Sequence, residues 1–452
     1  MQALPAAVEA PVVPHPSVVE QEAAMQQALE GVTAERLAAV LAPLGLTLSA
    51  LELFTSPFVN GDNIAGECTF EAGVVHGPVP QRRFANNAIF SVAAAGDAGD
   101  VELILRVSNT HAWRRGRMTD NEVGSMRWAA AHGVPLVPRV LAFSADAASS
   151  PLGCEYILME KMPGAPLQTL LEQLPEQEQQ QQLKAEIAPQ LREWLAALAA
   201  VPRPPGGGPL SALRVAEDGG VVGDAPGWFH HELPPLGPES ATGFAALTAA
   251  VLRDCIARLR SEPADSREEA HRALQAVNEP EAESLKDILR YLRATPLKGD
   301  HADRLQFCEV FQRLLTEDVE EFRSSHEPNG LLEEYTRLTH NDLCGNNLLV
   351  EDGRLVGVVD WESAMVGVTD KDCEEYGELA GTEDDADCGS GLPVAPGASQ
   401  RRRFMRIIGG VKCLYHSNAS WYSWCDSPEL RVAMDLRVRP QANGRQTPTQ
   451  LD

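Results

Sequence analysis

Basic charge is scarce in this chain: 38 Lys and Arg stand against 64 Asp and Glu, a formal net charge of -26 over 452 residues. A nucleic-acid partner needs clustered cations to replace phosphate counterions, so nucleic acid is excluded as a ligand class. A small cationic partner suits the charge, although acidity more often serves solubility. Long apolar runs are missing too. No stretch approaches the roughly 20 apolar residues of a membrane span, and no membrane partner is expected. The nine cysteines, from Cys68 to Cys425, form no C-x-x-C pair and no ligand-spaced cluster. Such a set argues for free thiols in a reducing compartment. Met1 to Pro14 carry no Lys or Arg and no apolar core, so no secretory leader is expected and the location reads as cytoplasmic. Nothing in the sequence sets an oligomeric state.

What is present suggests ordered segments. Residues 1–47 read as an N-terminal extension, disordered and then helical from Val18 to Leu44. Ala88–Val92, Val101–Val107, Val140–Phe143 and Glu155–Met159 are β-prone runs, with a helix over Asn121–Ala131 between them. Leu183, Ile187, Leu191, Trp194, Leu195 and Leu198 share one helical face, and Pro189 inside that pattern predicts a kink or restart. Pro202–Pro209 and Phe229–Pro238 read as irregular connections. Helical patterns resume at Ala245–Arg260, Ser284–Leu292 and Leu305–Phe322. Asn347–Val350 and Leu355–Val359 flank Asp352-Gly353, a hairpin signal because both turn positions need positive φ. Residues 369–387 hold nine acids against one Lys and read, on to Gln400, as a solvated loop. Arg401–Tyr422 has the pattern of a last packed helix, and the tail from 436 is polar. Strands first and helices later predict an α+β bilobal arrangement, with a β-rich part over 48–162 and a helical part over 163–435.

The chemistry concentrates in Leu338–Asn347, whose His340-Asn341-Asp342-Leu343 and Asn347 fit the H-x-D-L-x-x-x-N spacing of a kinase catalytic loop. Phosphoryl transfer needs a carboxylate within reach of the acceptor hydroxyl, and Asp342 can take its proton. It also needs oxygen ligands for Mg²⁺ on the phosphates. Asn347 supplies an amide oxygen, and Asp360, returned by the hairpin, a carboxylate. His340 braces the loop. Taken singly, these pieces are a polar loop, a turn and a strand-end acid; in this order they form a set.

The loop together with Val358-Val359-Asp360-Trp361-Glu362 resembles the aminoglycoside phosphotransferase family, kinase-like enzymes that phosphorylate small molecules. Leu105–Asn109, Asn121–Val123, Val137–Leu141 and Leu152–Glu160 are similar to segments that recur in its eukaryotic, fungal-type branch. The likeness spans about residues 80–375. It implies a protein-kinase-like fold, ATP and Mg²⁺ as cofactors, and a small-molecule hydroxyl as acceptor. Arg106 falls where kinases place the Lys that grips the phosphates, and Glu122 where a helix Glu pairs with it; the planar guanidinium can bind phosphate bidentately. No G-x-G-x-x-G precedes Ile89–Val92, which leaves Arg82–Asn87, with Asn87 able to meet a phosphate, or a simple turn. Leu158–Met162, with Glu160 and Met162, would form the hinge that receives adenine, or a strand end. A cationic acceptor could draw on the acidic segment 369–387. Choline and ethanolamine kinases share the His-Asn-Asp form of the loop. A nucleotide-binding pseudokinase, suggested by Arg106 and the missing glycines, is the reading from another class. A protein kinase ranks last, because D-F-G and A-P-E are absent.

Overall fold

The computed structural model describes residues 27–54, 69–71, 74–76, 87–108, 117–174, 177–224, 242–261, 312–330, 333–380, 395–398 and 400–401. Several expected features lie outside these residues: Arg82–Asn86, Phe229–Pro238, the helix Ser284–Leu292, the start of Leu305–Phe322, the acidic segment beyond 380, the tail, and Arg401–Tyr422 past its first residue. The chain divides into two compact units, residues 1–251 with 321–402, and residues 252–320 with 403–452. The site discussed below lies within the first.

That unit is built on a five-stranded antiparallel sheet. Its strands are β1 (Thr47–Phe54), β2 (Asn87–Gly96), β3 (Gly99–Ser108), β4 (Val140–Ser144) and β5 (Tyr156–Glu160), in the order β1-β2-β3-β5-β4. A separate short ribbon pairs Thr69–Glu71 with Val74–His76. β2 and β3 are longer than the apolar runs that announced them, because pairing continues from Asn87–Ser108 to Gly96–Gly99 and leaves only Asp97-Ala98 as the turn. Strand alternation sorts the side chains between two faces. Phe90, Val92, Leu103, Leu105, Val107, Tyr156 and Leu158 are buried on one face with helix α1 (Ala34–Leu41). Thr33 caps α1 by accepting a hydrogen bond from the Arg36 amide at 3.2 Å. The opposite face carries Arg106 and Ile157, and Ile157 joins a second core.

This second core gathers helix α2 (Arg117–Ala131), α3 (Leu167–Gln173), α4 (Gln177–Ala199) and the hairpin of residues 348–358. The helical face foreseen on α4 is buried at Ile187, Leu191, Trp194, Leu195 and Leu198. α4 runs as a single helix through Pro189, so the helix does not restart there. Pro189 and Ala185, whose carbonyl loses its partner, are both exposed, so water can take up the orphaned acceptor.

The connection after Pro209 is a further departure. It folds as a hairpin of β7 (Ala212–Val215) and β8 (Val221–Asp224) packed on α2, following the two-residue strand β6 (Ala165–Pro166). Helix α5 (Phe244–Ser261) matches its expected range, and α6 (Val319–His326) is preceded by a π-helical turn over Leu314–Asp318.

The late hairpin is as foreseen. β10 (Leu348–Glu351) and β11 (Arg354–Val358) close on Asp352 and Gly353 with φ of 49° and 71°. β6 pairs with β10, while β9 (Arg337–Thr339) pairs with β12 (Met365–Gly367). The segment expected as a solvated loop instead begins as helix α7 (Asp370–Ala380). Cys373 and Tyr376 are buried in the second core with Leu379 against it, and this apolar i, i+3, i+6 series overrides the local charge. Two cores on the two faces of one sheet make up the α+β, protein-kinase-like bilobal fold that the sequence implied.

Candidate active site

β9 delivers the loop that starts at His340. The imidazole is fully buried, edge-on to Trp361 and Trp194 at centroid distances of 5.0 and 6.2 Å. Nε2 lies 3.1 Å from the Val359 carbonyl, which can only accept, so this nitrogen carries the proton. Burial pushes the pKa of His340 down to about 4, more than Asp342 raises it, and the ring is neutral. It ties the loop to the strand that leads into Asp360.

Asn341 sits in the left-handed region at φ 63°, which Asn tolerates better than most residues. Its side chain donates to Thr339 Oγ1 at 2.7 Å and to the Ser363 carbonyl at 3.2 Å. Asp342 is the outward group of the loop, with its side chain 36% exposed. Its Oδ2 accepts from Asn347 Nδ2 at 3.0 Å, and the same nitrogen donates to the Asp342 carbonyl at 2.8 Å. With its nitrogen so engaged, the Asn347 amide turns its oxygen elsewhere. Val359 N donates to the Asn347 carbonyl at 3.0 Å, which places Asp360, next in the chain, beside that residue. Asp360 has φ 64° and caps the short turn Trp361–Ser363.

The backbone of the loop rests on α7. Asp372 accepts from the His340 amide at 3.0 Å and from the Asn341 amide at 2.6 Å. Glu375 accepts from the Leu343 amide at 2.5 Å. Burial pushes the pKa of Asp372 up to about 6 and that of Glu375 up to about 7, against the pull of these hydrogen bonds and of Lys371. Lys371 donates to the Asn341 carbonyl and stands 3.4 Å from Glu375 and 4.0 Å from Asp342 Oδ1. Burial opposes its charge, but the carboxylates of Glu375 and Asp342 outweigh it and the net shift is upward.

A second cluster gathers under the sheet. Arg106, 3% exposed, is ion-paired to Glu122 of α2 and to Glu362. Asn87 Nδ2 donates to Glu362 Oε2, the oxygen that Arg106 contacts, at 3.1 Å. Asn121 fixes the neighbouring backbone by donating to the carbonyls of Ala364 at 2.7 Å and Glu362 at 3.3 Å, while its own carbonyl accepts from Leu213 of the β7–β8 hairpin at 2.8 Å. The two clusters are thus joined through three consecutive residues, Asp360-Trp361-Glu362. Glu160 and Met162 lie on the crossing from β5 to β6, which pairs with the β10–β11 hairpin. The Glu160 amide donates to the Arg139 carbonyl at 3.0 Å with its side chain exposed, and Met162 packs over Gly357.

The sequence pointed to Asp342, Asn347, Asp360, Arg106 and Glu122 but suggested no role for Glu362 or Asn121, and for Asp372 and Glu375 only that their acidic segment could attract a cationic acceptor, not that they hold the loop. The apolar period of Cys373, Tyr376 and Leu379 was the available signal for α7. For Asn121 and Glu362 the partners are distant in sequence and no local pattern reports them. The described cysteines Cys154, Cys344 and Cys373 form no disulfide, and burial pushes Cys154 up to about 12 and Cys344 up to about 11.

Among the described residues, no three His, Cys, Asp or Glu are grouped to hold a metal ion. A hard divalent cation completed by phosphate oxygens and water needs only one or two protein oxygens, and the Asn347 amide with the Asp360 carboxylate is a donor set of that kind. No helix among the described residues is long and apolar enough to cross a membrane.

Residues 80–372 match the model of the phosphotransferase enzyme family. A search of curated proteins gives no match. Among solved structures, a thermostable mutant of aminoglycoside phosphotransferase APH(4)-Ia, in ternary complex with ADP and hygromycin B, is similar at 13% identity and TM-score 0.43, over 89% of this chain and 98% of that one. The APH(2")-IIa complex with streptomycin and ATP matches at 11% identity and TM-score 0.41, over 88% and 97%. The macrolide 2'-phosphotransferase MphH from Brachybacterium faecium matches at 14% identity and TM-score 0.40, over 90% and 100%.

Proposed function

The chain belongs to the phosphotransferase enzyme family, and on that premise we propose that it moves the γ-phosphoryl group of ATP, bound with Mg²⁺, to a hydroxyl of a small molecule. The observation that carries this reading is the Asp342 carboxylate, partly exposed and steered by the Asn347 amide at 3.0 Å. Asp342 accepts the proton of the acceptor hydroxyl as its oxygen bonds the γ-phosphorus. The bond to the bridging oxygen breaks, and ADP leaves. Asn347 and Asp360 would hold Mg²⁺, which when bound neutralises charge on the phosphates. Arg106, oriented by Glu122, steadies the phosphate chain, while Asn87, Glu160 and Met162 belong to the nucleotide side. Most of the catalysis is then positioning and charge stabilisation, as this reaction requires.

The net charge of -26 favours a cationic or neutral acceptor over an anionic one. Incubation with Mg²⁺ and ATP across a panel of hydroxylated metabolites, amine-bearing ones included, tests the reading. Acceptor-dependent release of ADP supports it. Nucleotide binding with no turnover on any acceptor would instead favour the pseudokinase reading, which the missing glycines support and to which the structure adds that Arg106 is already paired to two carboxylates.

A further inference from the structure

Resting on the nucleotide-binding reading above, we infer that Glu362 is a competitor for the phosphate grip: its carboxylate holds the groups that phosphate must take, and nucleotide binds by displacing it. Arg106 and Asn87 come from different strands, β3 and β2, yet both direct a donor nitrogen to one oxygen, Glu362 Oε2. A carboxylate oxygen receiving a guanidinium and an amide has the donor environment a phosphate oxygen would have. Arg106 faces two carboxylates, Glu122 and Glu362, whose side chains are 2% and 8% exposed. Placing phosphate against Arg106 while Glu362 Oε2 stayed on the same guanidinium would set two anions on one another, so one carboxylate must yield.

Position decides which one. Glu122 is anchored on α2, 1% exposed, in the middle of a 15-residue helix. Glu362 sits in a three-residue turn directly after Asp360, which is in a left-handed conformation. Asn87 adds an independent sign that the present arrangement is exchangeable. Its Oδ1 is buried without a hydrogen-bond partner, so the contact to Glu362 leaves half of that amide unsatisfied. A phosphate carries only acceptors and would not by itself satisfy this oxygen, but freeing the amide from Glu362 lets it rotate.

The prediction is specific to nucleotide binding, because apparent affinity is reduced by the fraction of molecules in which the grip is available. ADP in the presence of a chelator is the probe, titrated calorimetrically into the wild-type chain and into Glu362→Gln. If Glu362 occupies the grip in about nine molecules of ten, the variant binds metal-free ADP about tenfold tighter. The gain should disappear in an Arg106→Ala background, since the competition runs through that side chain. Glu362→Asp, which keeps the charge but shortens the reach, gives a smaller gain and serves if Glu362→Gln does not fold by its thermal melt. Unchanged or weaker ADP binding in the folded variants overturns the role of Glu362 while leaving the phosphotransferase reading intact. A wild-type chain that binds no ADP, with or without Mg²⁺, overturns both.

Discussion

The two halves of the site are held by different physics. The His340–Asn347 loop hangs from α7 by three backbone amides, those of His340, Asn341 and Leu343, donating to the carboxylates of Asp372 and Glu375 at 2.5 to 3.0 Å. Backbone donors cannot swing away, so the loop keeps one conformation, and Asp342 is aimed in advance of any ligand. The Arg106 half is made of side-chain ion pairs, one guanidinium between Glu122 and Glu362. Ion pairs of that kind can be exchanged for others of similar charge. The carboxylate proposed to accept the proton is therefore preorganised, and the cation proposed to meet phosphate is exchangeable. Each prediction below separates the halves by asking whether chemistry, stability or affinity changes.

The largest effect belongs to the preorganised half. Asp342→Ala should cut phosphoryl transfer by about 10³-fold, the usual worth of a positioned base, with ADP affinity within about twofold of wild type. Parallel measurement of turnover and of the nucleotide dissociation constant checks it. Loss of ADP affinity along with turnover would show that the two halves are not separable. Next comes Asp372→Ala. Two buried amides lose their acceptor, at about 1–3 kcal/mol each, so denaturant melts should show a loss of about 3 kcal/mol. Asp372→Asn, which retains one acceptor oxygen, should lose less. If the two substitutions cost the same, the hydrogen bonds are not what holds the loop.

How much of this could be read in the sequence follows the same divide. Asp342, Asn347 and Asp360 were legible because loop, hairpin and apolar strand are contiguous, and Asp352-Gly353 announces the turn that returns the chain. Arg106 and Glu122 were legible only through the family resemblance. The supporting partners were not. Asp372 and Glu375 looked like members of a solvated acidic run because charge was weighed above the Cys373-Tyr376-Leu379 period that buries α7. The β7–β8 hairpin was hidden by its setting among prolines and glycines, although Ala212–Val215 and Val221–Asp224 flank the turn-forming Asp218-Gly219-Gly220. Glu362 sits inside a quoted motif, yet its partners Asn87 and Arg106 lie more than 250 residues away.

A third, smaller effect is acid sensitivity. The folded-state pKa of His340 is about 4, below the 6.5 of a free histidine, so under pH 6.5 the unfolded chain takes up a proton that the folded chain refuses. This contribution is present above pH 6.5 and is lost as pH falls towards 4. Between pH 7.5 and pH 5 it amounts to about 2 kcal/mol. Glu375 works the other way in the same window. Its folded pKa of about 7 lies above the ordinary 4.5, so its contribution is present below pH 4.5 and is lost as pH rises through 7. Asp372, pushed up to about 6, adds to the Glu375 slope, and together they oppose that of His340 in the wild type, so single substitutions uncover each. His340→Gln should be relatively more stable at pH 5 than at pH 7.5 when compared with wild type, by chemical denaturation at both pH values. An unchanged pH profile would mean that His340 is not held neutral.

The smallest stability effect, and the sharpest test of the contrast, is Glu122→Ala. Removing one member of an isolated buried ion pair costs about 3–5 kcal/mol, because a charge is left without a counterion. Arg106 is not in that position, since Glu362 remains beside it and the residual pair is neutral. Deleting Glu122 leaves Arg106 with one carboxylate in place of two and relieves the repulsion between them, at the cost of one contact and a small void. The two contributions oppose each other, and denaturant melts should show a change of less than about 1 kcal/mol. Affinity should move further than stability. With Glu122 gone, Arg106 is bound to Glu362 alone and no longer anchored to α2, so ADP should bind more weakly. A stability loss near that of Asp372→Ala would mean that the Arg106 half is as fixed as the loop, and the distinction between the halves would fall with it.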